Sequence, residues 1–363
     1  MAASIEELAR MANTSISTVS RALTGKAGVG KDKRENIRVL AERVGYRPNQ
    51  FARNLLSKKS HTLGFVTANL GNPTHTEFLR LMETAARDRG YQMLIADSRG
   101  SLDLERENIE ALLRNRVEGF VLFPVSDGNL EFGVSHLLDL HAQRVPFVVA
   151  GDVQDYYLDS IISDEVDAGK RLARRLLELG HRRFGVVGGN SQSRTARKRC
   201  QGVVEALREA GLLTTDMDHD SLVLRRLEVP ATIGDDWLGQ VVDWLREEAR
   251  PTALVCINDP IALRLIRPLR QAGLLVPRDV SVVAFDDNAW CRYVETTLTT
   301  MAPRIEEVAQ LLFEMLMRRI ENPMAPPVLR AIPQEYHERE SVGPAPISGN
   351  EVEADRLSAK GEE

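Results

Sequence analysis

Carboxylates, amides and one arginine stand just beyond a series of short apolar runs, a placement suited to holding a ligand rich in hydroxyls. Thr74 and His75 belong to the Asn72-Pro73-Thr74-His75 stretch after TLGFVT, Asp152 ends FVVAGD, and Asn258-Asp259 follow ALVCI. Asp286-Asp287 follow SVVAF, and Arg199 lies on the helix expected after FGVVGG. Each hydroxyl of such a ligand both donates and accepts, and acids, amides and a planar guanidinium answer both demands. Asp259 and Asp287 read rather as helix caps or interlobe partners, and His75 reads equally as an interface histidine. A sugar ring also stacks on aromatic faces. Trp237 and Trp244, seven apart on one helical face, read as core, whereas Trp290 beyond the Asp286 loop fits either the cleft or interlobe packing.

Catalytic constellations are missing from the sequence. The glycine cluster GVVGGNS at 185–191 is neither GxGxxG nor a P-loop, since no Gly-Lys-Ser/Thr follows it. There is no GxSxG elbow and no HExxH, and the seven histidines do not cluster with metal-ligand spacing. Asp286 and Asp287 are sequence neighbours, which points their side chains apart. No enzyme activity, cofactor or metal is expected.

A second chemistry resides near the N-terminus. Ser4 with Glu7 three residues on forms a capping box, and Ile5, Leu8, Ala9 and Ala12 share a face of the helix that follows. Asn13 stands where the chain must turn sharply. Ser15 caps a second helix whose Val19, Ala22 and Leu23 point inward, while Ile16, Ser17, Thr18 and Arg21 point outward. Short polar or methyl-bearing groups beside one fork-shaped cation can enter a major groove and read base edges. After the Gly25–Gly30 loop, a third helix from about Asp32 to Val44 turns Ile37, Leu40, Ala41 and Val44 inward. Residues 1–60 hold 12 Lys and Arg against 5 Asp and Glu, a local balance of +7 in a chain whose net charge is −5. A basic module that meets phosphate and an acidic body that avoids it explain this asymmetry.

These groups need elements to position them. TLGFVT, YQMLIAD, GFVLFP, FVVAGD, IISD, FGVVGG, SLVL, ALVCIN and SVVAFDD read as buried strands. Between them Glu77–Arg89, Leu104–Arg114, Ala168–Leu179, Thr195–Ala210, Asp236–Glu248 and Ile261–Gln271 read as helices. Strands alternating with helices give parallel, doubly wound sheets, whose ligands bind outside the carboxyl ends of the strands. So many strands suggest two Rossmann-like lobes rather than one sheet.

ELARMANTSISTVSRAL and VGYRPNQFARNLLSKKS resemble the DNA-binding head and hinge of the LacI/GalR family of bacterial transcription regulators. The likeness continues through LGFVTANLGNPTHTEFL, NRVEGFVLFP, ELGHRRFGVVGG, CINDPIAL, VSVVAFDD and TLTTMAP in the family's order, over roughly residues 4–342. It implies an α/β fold: a helix-turn-helix head at 1–48, a hinge helix and linker at 49–60, and a two-lobed periplasmic-binding-protein-like core at 61–345. Lobe 1 is expected at about 61–161 and 301–324, lobe 2 at about 162–300 and 325–342, and an acidic, disordered tail at 346–363.

The resemblance further implies operator contacts from Ser4, Ser15, Ile16, Ser17, Thr18, Arg21 and Asn49. In the family the hinge folds in the minor groove, where Leu55 would wedge between base pairs and Ala52 would allow close approach; the eight residues Gln50–Ser57, isolated, would not hold a helix unaided. It also implies a small sugar-like effector on Arg199, Asn258 and Asp286, with Asp152, Thr74 and His75 as weaker carry-overs, and a homodimer on a pseudo-palindromic operator. Asn13-Thr14 and Ile16 depart from the family's usual Gly-Val and Tyr or Asn, so the operator cannot be inferred from a relative.

At 363 residues and 43% hydrophobic, the chain can build two or more cored domains. No apolar run approaches the ~20 residues of a membrane span, no signal peptide is evident, and three cysteines without a CxxC pair suit a reducing cytosol. A soluble, cytoplasmic regulator, acting as a repressor, is therefore expected. The alternatives are a sugar sensor or transport receptor of the periplasmic type, opposed by the basic head, and a sugar- or nucleotide-modifying α/β enzyme, opposed by the missing catalytic groups.

Overall fold

The computed structural model describes residues 4–25, 27–46, 59–125, 134–151, 153, 156–189, 193–213, 223–229 and 236–346. The chain divides into two compact units, residues 1–61 and 62–363.

In the first unit, local polar contacts set the starts of α1 (Ile5–Met11) and α2 (Ile16–Leu23), whereas α3 (Lys31–Arg43) begins at Gly30 without a side-chain cap. Ser4 Oγ accepts from the Glu7 amide at 3.2 Å and the Ser4 amide donates to Glu7 Oε2 at 2.8 Å, completing the capping box. Asn13 takes φ 41°, the left-handed conformation that lets α2 begin almost at once. Ser15 Oγ then accepts from the Thr18 amide. Leu8, Ala9, Val19, Ala22, Ile37 and Ala41 close the small core.

The second unit contains two six-stranded sheets. The first is built from β1 (Thr62–Thr67), β2 (Gln92–Asp97), β3 (Gly119–Phe123), β4 (Phe147–Ala150), β5 (Ser160–Ser163) and β11 (Leu329–Ile332) in the order β11-β5-β4-β3-β1-β2. The second is built from β6 (Phe184–Val187), β7 (Leu224–Leu227), β8 (Ala253–Cys256), β9 (Ser281–Phe285), β10 (Thr299–Ala302) and β12 (Glu335–His337) in the order β12-β10-β9-β8-β6-β7. All pairings are parallel except that of β12 with β10. Their crossover helices include α4 (Pro73–Asp88), α5 (Leu102–Arg114) and α6 (Ser135–Ala142) in the first lobe, and α7 (Glu165–Glu178), α8 (Arg194–Glu209), α9 (Asp236–Trp244) and α10 (Asp259–Gln271) in the second.

The chain crosses between lobes three times. It leaves β5 for α7, leaves β10 for α11 (Ile305–Glu321) in the first lobe, and returns between β11 and β12. The last crossing corrects the expected one near 324: Leu329–Ile332 pairs with Ser160–Ser163, so the chain stays with the first sheet until 333–334. Likewise β5 runs past the expected boundary at 161. SLVL is displaced as well, the strand being Leu224–Leu227 rather than 221–224. Helix α4 starts four residues earlier than expected because Asn72 caps it and Pro73 supplies a preset first turn.

Two glycines determine how α7 meets α8. A Cβ on Gly169 would fall 2.1 Å from the Arg199 carbonyl oxygen, and one on Gly202 would fall 2.0 Å from that of Val166. Their absence lets the two backbones touch, which places Glu165 beside Arg199. Cys200, Cys256 and Cys291 are buried and unpaired. No helix of the described residues is long and apolar enough to cross a membrane.

Candidate functional site

The outward face of α2 is exposed as the helix pattern requires. Ile16 is 46% exposed, Ser17 and Arg21 are exposed, and Thr18 is half-buried. Ser15 Oγ lies 2.9 Å from both Ser17 Oγ and Thr18 Oγ1, so three hydroxyls at the start of α2 share one hydrogen-bonded cluster. Ser4 and Ser15 accept backbone N–H bonds as caps. Asn49, Ala52 and Leu55 lie outside the described residues.

In the second unit a cleft of about 300 Å³ opens where the carboxyl ends of both sheets face each other. Thr74, His75, Arg199, Asn258 and Asp286 all line it; Asp152 lies outside the described residues. Arg199, only 5% exposed, donates through Nε to Glu165 Oε2 (2.6 Å), through Nη1 to the Ile257 carbonyl (2.6 Å) and through Nη2 to Asp286 Oδ1 (2.8 Å). Its guanidinium also rests over the Phe285 ring at 4.5 Å. Burial opposes the Arg199 charge, but Asp286 and Glu165 outweigh it and hold the group firmly protonated. Asp286 occupies φ 105°, a conformation costly for a residue with a Cβ, so its aim into the cleft is imposed by the surrounding fold.

The other cleft groups are neutral. His75 Nδ1 lies 2.7 Å from Thr67 Oγ1 and its ring packs at 4.8 Å from Phe123. Burial holds His75 below its usual pKa, against the opposing pull of Asp286. Thr74 Oγ1 is buried without a hydrogen-bond partner, which costs free energy unless something else supplies one. Asn258 caps α10 through Oδ1, accepting from the Ile261 amide at 3.1 Å, so its Nδ2 is the group left to face a ligand.

Asp259 and Asp287 do not line the cleft, and both act within the second lobe rather than between lobes. Asp259, fully buried, accepts from the Asn288 amide and side chain and from Thr300 Oγ1. Burial, then Asp286, pushes its carboxyl up to about 7. Asp287 is ringed by Arg292, His337 and Arg339, which hold it below its usual value despite burial. Trp290 is 68% exposed and absent from the cleft lining. Trp237 is buried, and Trp244 packs against the same core.

Several cleft residues escaped the sequence reading. Phe78 and Phe123, 5.1 Å apart, supply the aromatic wall sought among the tryptophans. Glu165 could have been found, since it comes two residues after β5, at a carboxyl end like the others. Gln334, in the last interlobe crossing, donates through Nε2 to the same Glu165 Oε2 at 2.9 Å while its own Oε1 stays buried and unpartnered. Nothing in its sequence neighbourhood marks it.

Residues 4–49 match the model of bacterial regulatory proteins of the lacI family, and residues 173–342 match that of a periplasmic binding protein-like domain. The chain is 27% identical over 326 residues to the ribose operon repressor of Haemophilus influenzae, covering 88% of this chain and 93% of that one. It is 28% identical over 307 residues to the transcriptional repressor CytR of Escherichia coli, covering 84% and 86%. Among solved structures, the lac repressor dimer bound to operator and the anti-inducer ONPF superposes with a TM-score of 0.81 at 22% identity, over 94% of this chain and 100% of that one. The complex of the regulator CelR with cellobiose gives 0.63 at 25% identity, over 93% and 99%. The head thus matches the lacI family's model, much of the core matches the periplasmic binding protein-like one, and curated repressors align through both, so the chain joins a lacI-type DNA-binding head to a periplasmic binding protein-like core.

Proposed function

We propose that this protein is a cytoplasmic transcriptional repressor whose affinity for a pseudo-palindromic operator is controlled by a small sugar held between the core lobes. The observation that carries this reading is the union, in one chain, of an exposed helix bearing Arg21 with a cleft built around the buried Arg199. Ser15, Ile16, Ser17, Thr18 and Arg21 would meet base edges or phosphates. The hinge segment at 49–60, with Asn49, Ala52 and Leu55, would fold only on DNA, and closure of the lobes on effector would change the spacing of two such hinges. A coupling of ~1–3 kcal/mol is typical of such linkage. Relatives in this fold hold ribose and cellobiose, which supports a carbohydrate here.

Two apolar surfaces favour a homodimer. Edge strand β2 exposes Leu94 and Ile95, and a hollow in which Leu263, Ile266 and Val294 lie among Arg267, Arg270, Gln271 and Glu295 adjoins a segment with exposed Trp290 and Tyr293. Patches of this kind on a folded body call for a partner, and a second copy would also present the second head a palindrome needs.

The test is to select the preferred operator from random DNA with the full chain and measure its binding with and without a panel of sugars. A single palindromic site, released or tightened by one sugar, is the expected result. Equal affinity for all DNA would sink the reading.

A further inference from the structure

We propose that the cleft selects an uncharged monosaccharide and rejects its phosphate esters, because the one guanidinium lining it is already engaged by two carboxylates. This rests on the effector reading above and narrows it. Of the five N–H groups of an arginine, three in Arg199 donate to Glu165, Ile257 and Asp286, and the Phe285 ring covers one face. Among the described residues that line the cleft, Arg199 is the sole arginine or lysine, facing Glu165 and Asp286. His75 adds no charge, being buried and held neutral. The lining therefore carries more negative than positive charge, and an entering phosphate would meet acceptor oxygens with no free cation to answer it.

Helix N-termini are the counterforce to weigh, since they attract anions. Helices α4, α7, α8 and α10 all begin close to the cleft, but each is capped by its own side chain: Asn72, Asp164, Ser193 and Asn258 accept first-turn amides. The caps satisfy part of what a phosphate would use, and Asp164 brings a further negative charge.

The groups that remain suit hydroxyls. Thr74 Oγ1 is buried and unpartnered, Asn258 Nδ2 can donate, and the carboxylates of Glu165 and Asp286 can accept. A hydroxyl donates and accepts, whereas a phosphate dianion only accepts. Phe78 and Phe123 give the apolar face on which a sugar ring can lie. The volume of about 300 Å³ sits at the small end of ligand sites, as a single ring requires.

The experiment is calorimetric titration of the full chain with D-ribose, D-glucose and D-galactose, with D-ribose 5-phosphate and D-glucose 6-phosphate, and with cytidine and adenosine. At least one free sugar should bind ten-fold or more tightly than its phosphate ester, with an affinity nearly independent of salt. Glu165→Gln, which removes one carboxylate, should narrow that ratio. A phosphate ester or nucleoside that binds more tightly than every free sugar overturns the assignment, as does a panel in which nothing binds or an unchanged ratio in the variant. Effector control is judged separately by whether any bound compound alters operator affinity. A sugar that binds without altering it would leave the assignment standing and defeat the regulatory reading.

Discussion

The outward face of α2 in the head, proposed to read DNA, and the floor of the cleft are built from overlapping chemistry, hydroxyls and one arginine, at opposite extremes of burial. Arg21 is exposed on a short helix, and its surroundings are held by caps three residues apart. Arg199 is buried and fixed by partners 34, 58 and 87 residues away. The difference follows from what each must recognise. DNA brings its own charge and rigid shape, so the head needs only to present groups that lose water on contact. A small ligand brings little binding surface, so its site must be organised beforehand by the protein.

The comparison predicts that the two arginines fail in different ways. Arg199→Ala should leave two carboxylates without their cation and cost about 3–5 kcal/mol of stability, read in urea unfolding. A loss below about 1 kcal/mol would mean that solvent reaches the cleft floor and the contrast in burial has no energetic meaning.

Next in size is a pH effect confined to the core. Because Asp259 titrates at about 7 in the fold against 3.8 as its ordinary value, its protonated form is favoured by folding. That advantage is complete below the unfolded value and is lost as pH rises through about 7. The stability of the wild type should therefore fall relative to that of Asp259→Asn as pH rises between these limits, read in urea unfolding. Parallel stability curves for the two proteins would show that the carboxyl titrates normally.

Arg21→Ala should remove about 1–3 kcal/mol of discrimination between operator and scrambled DNA, while the unfolding midpoint stays within about 0.5 kcal/mol of wild type. Retained discrimination would remove it from the reading face. Smallest is Ser15→Ala, which should cost the head about 1 kcal/mol, visible as faster hydrogen exchange at the Thr18 amide; unchanged exchange would show that the cap is dispensable.

The contrast also explains what could be read from sequence. Capping boxes, the Asn13 turn and the Ser15 cap depend on neighbours in the chain, and the structure places them as expected. The rule that ligands meet strand carboxyl ends located Thr74, His75, Arg199, Asn258 and Asp286 around one cleft. It could not reveal that Asn258 uses Oδ1 as a cap, or that Gln334 reaches Glu165 across 169 residues. Strands β11 and β12 are short, and β11 is mostly exposed, so neither carries the apolar run that marked the others.

The late helix α11 has a consequence for how the chain comes to be folded. Its Val308, Ala309, Leu312, Phe313 and Leu316 share one core with Phe65, Phe78 and Met82 from the start of the lobe, and Arg319 binds the buried Asp159 carboxylate at 2.6 Å. During synthesis, which runs from the N-terminus, the first lobe must therefore wait with an open apolar face until the second lobe has been made. The head, whose core is complete by Tyr46, has no such delay, so a nascent chain can carry a finished DNA reader long before it has a finished lobe to govern it.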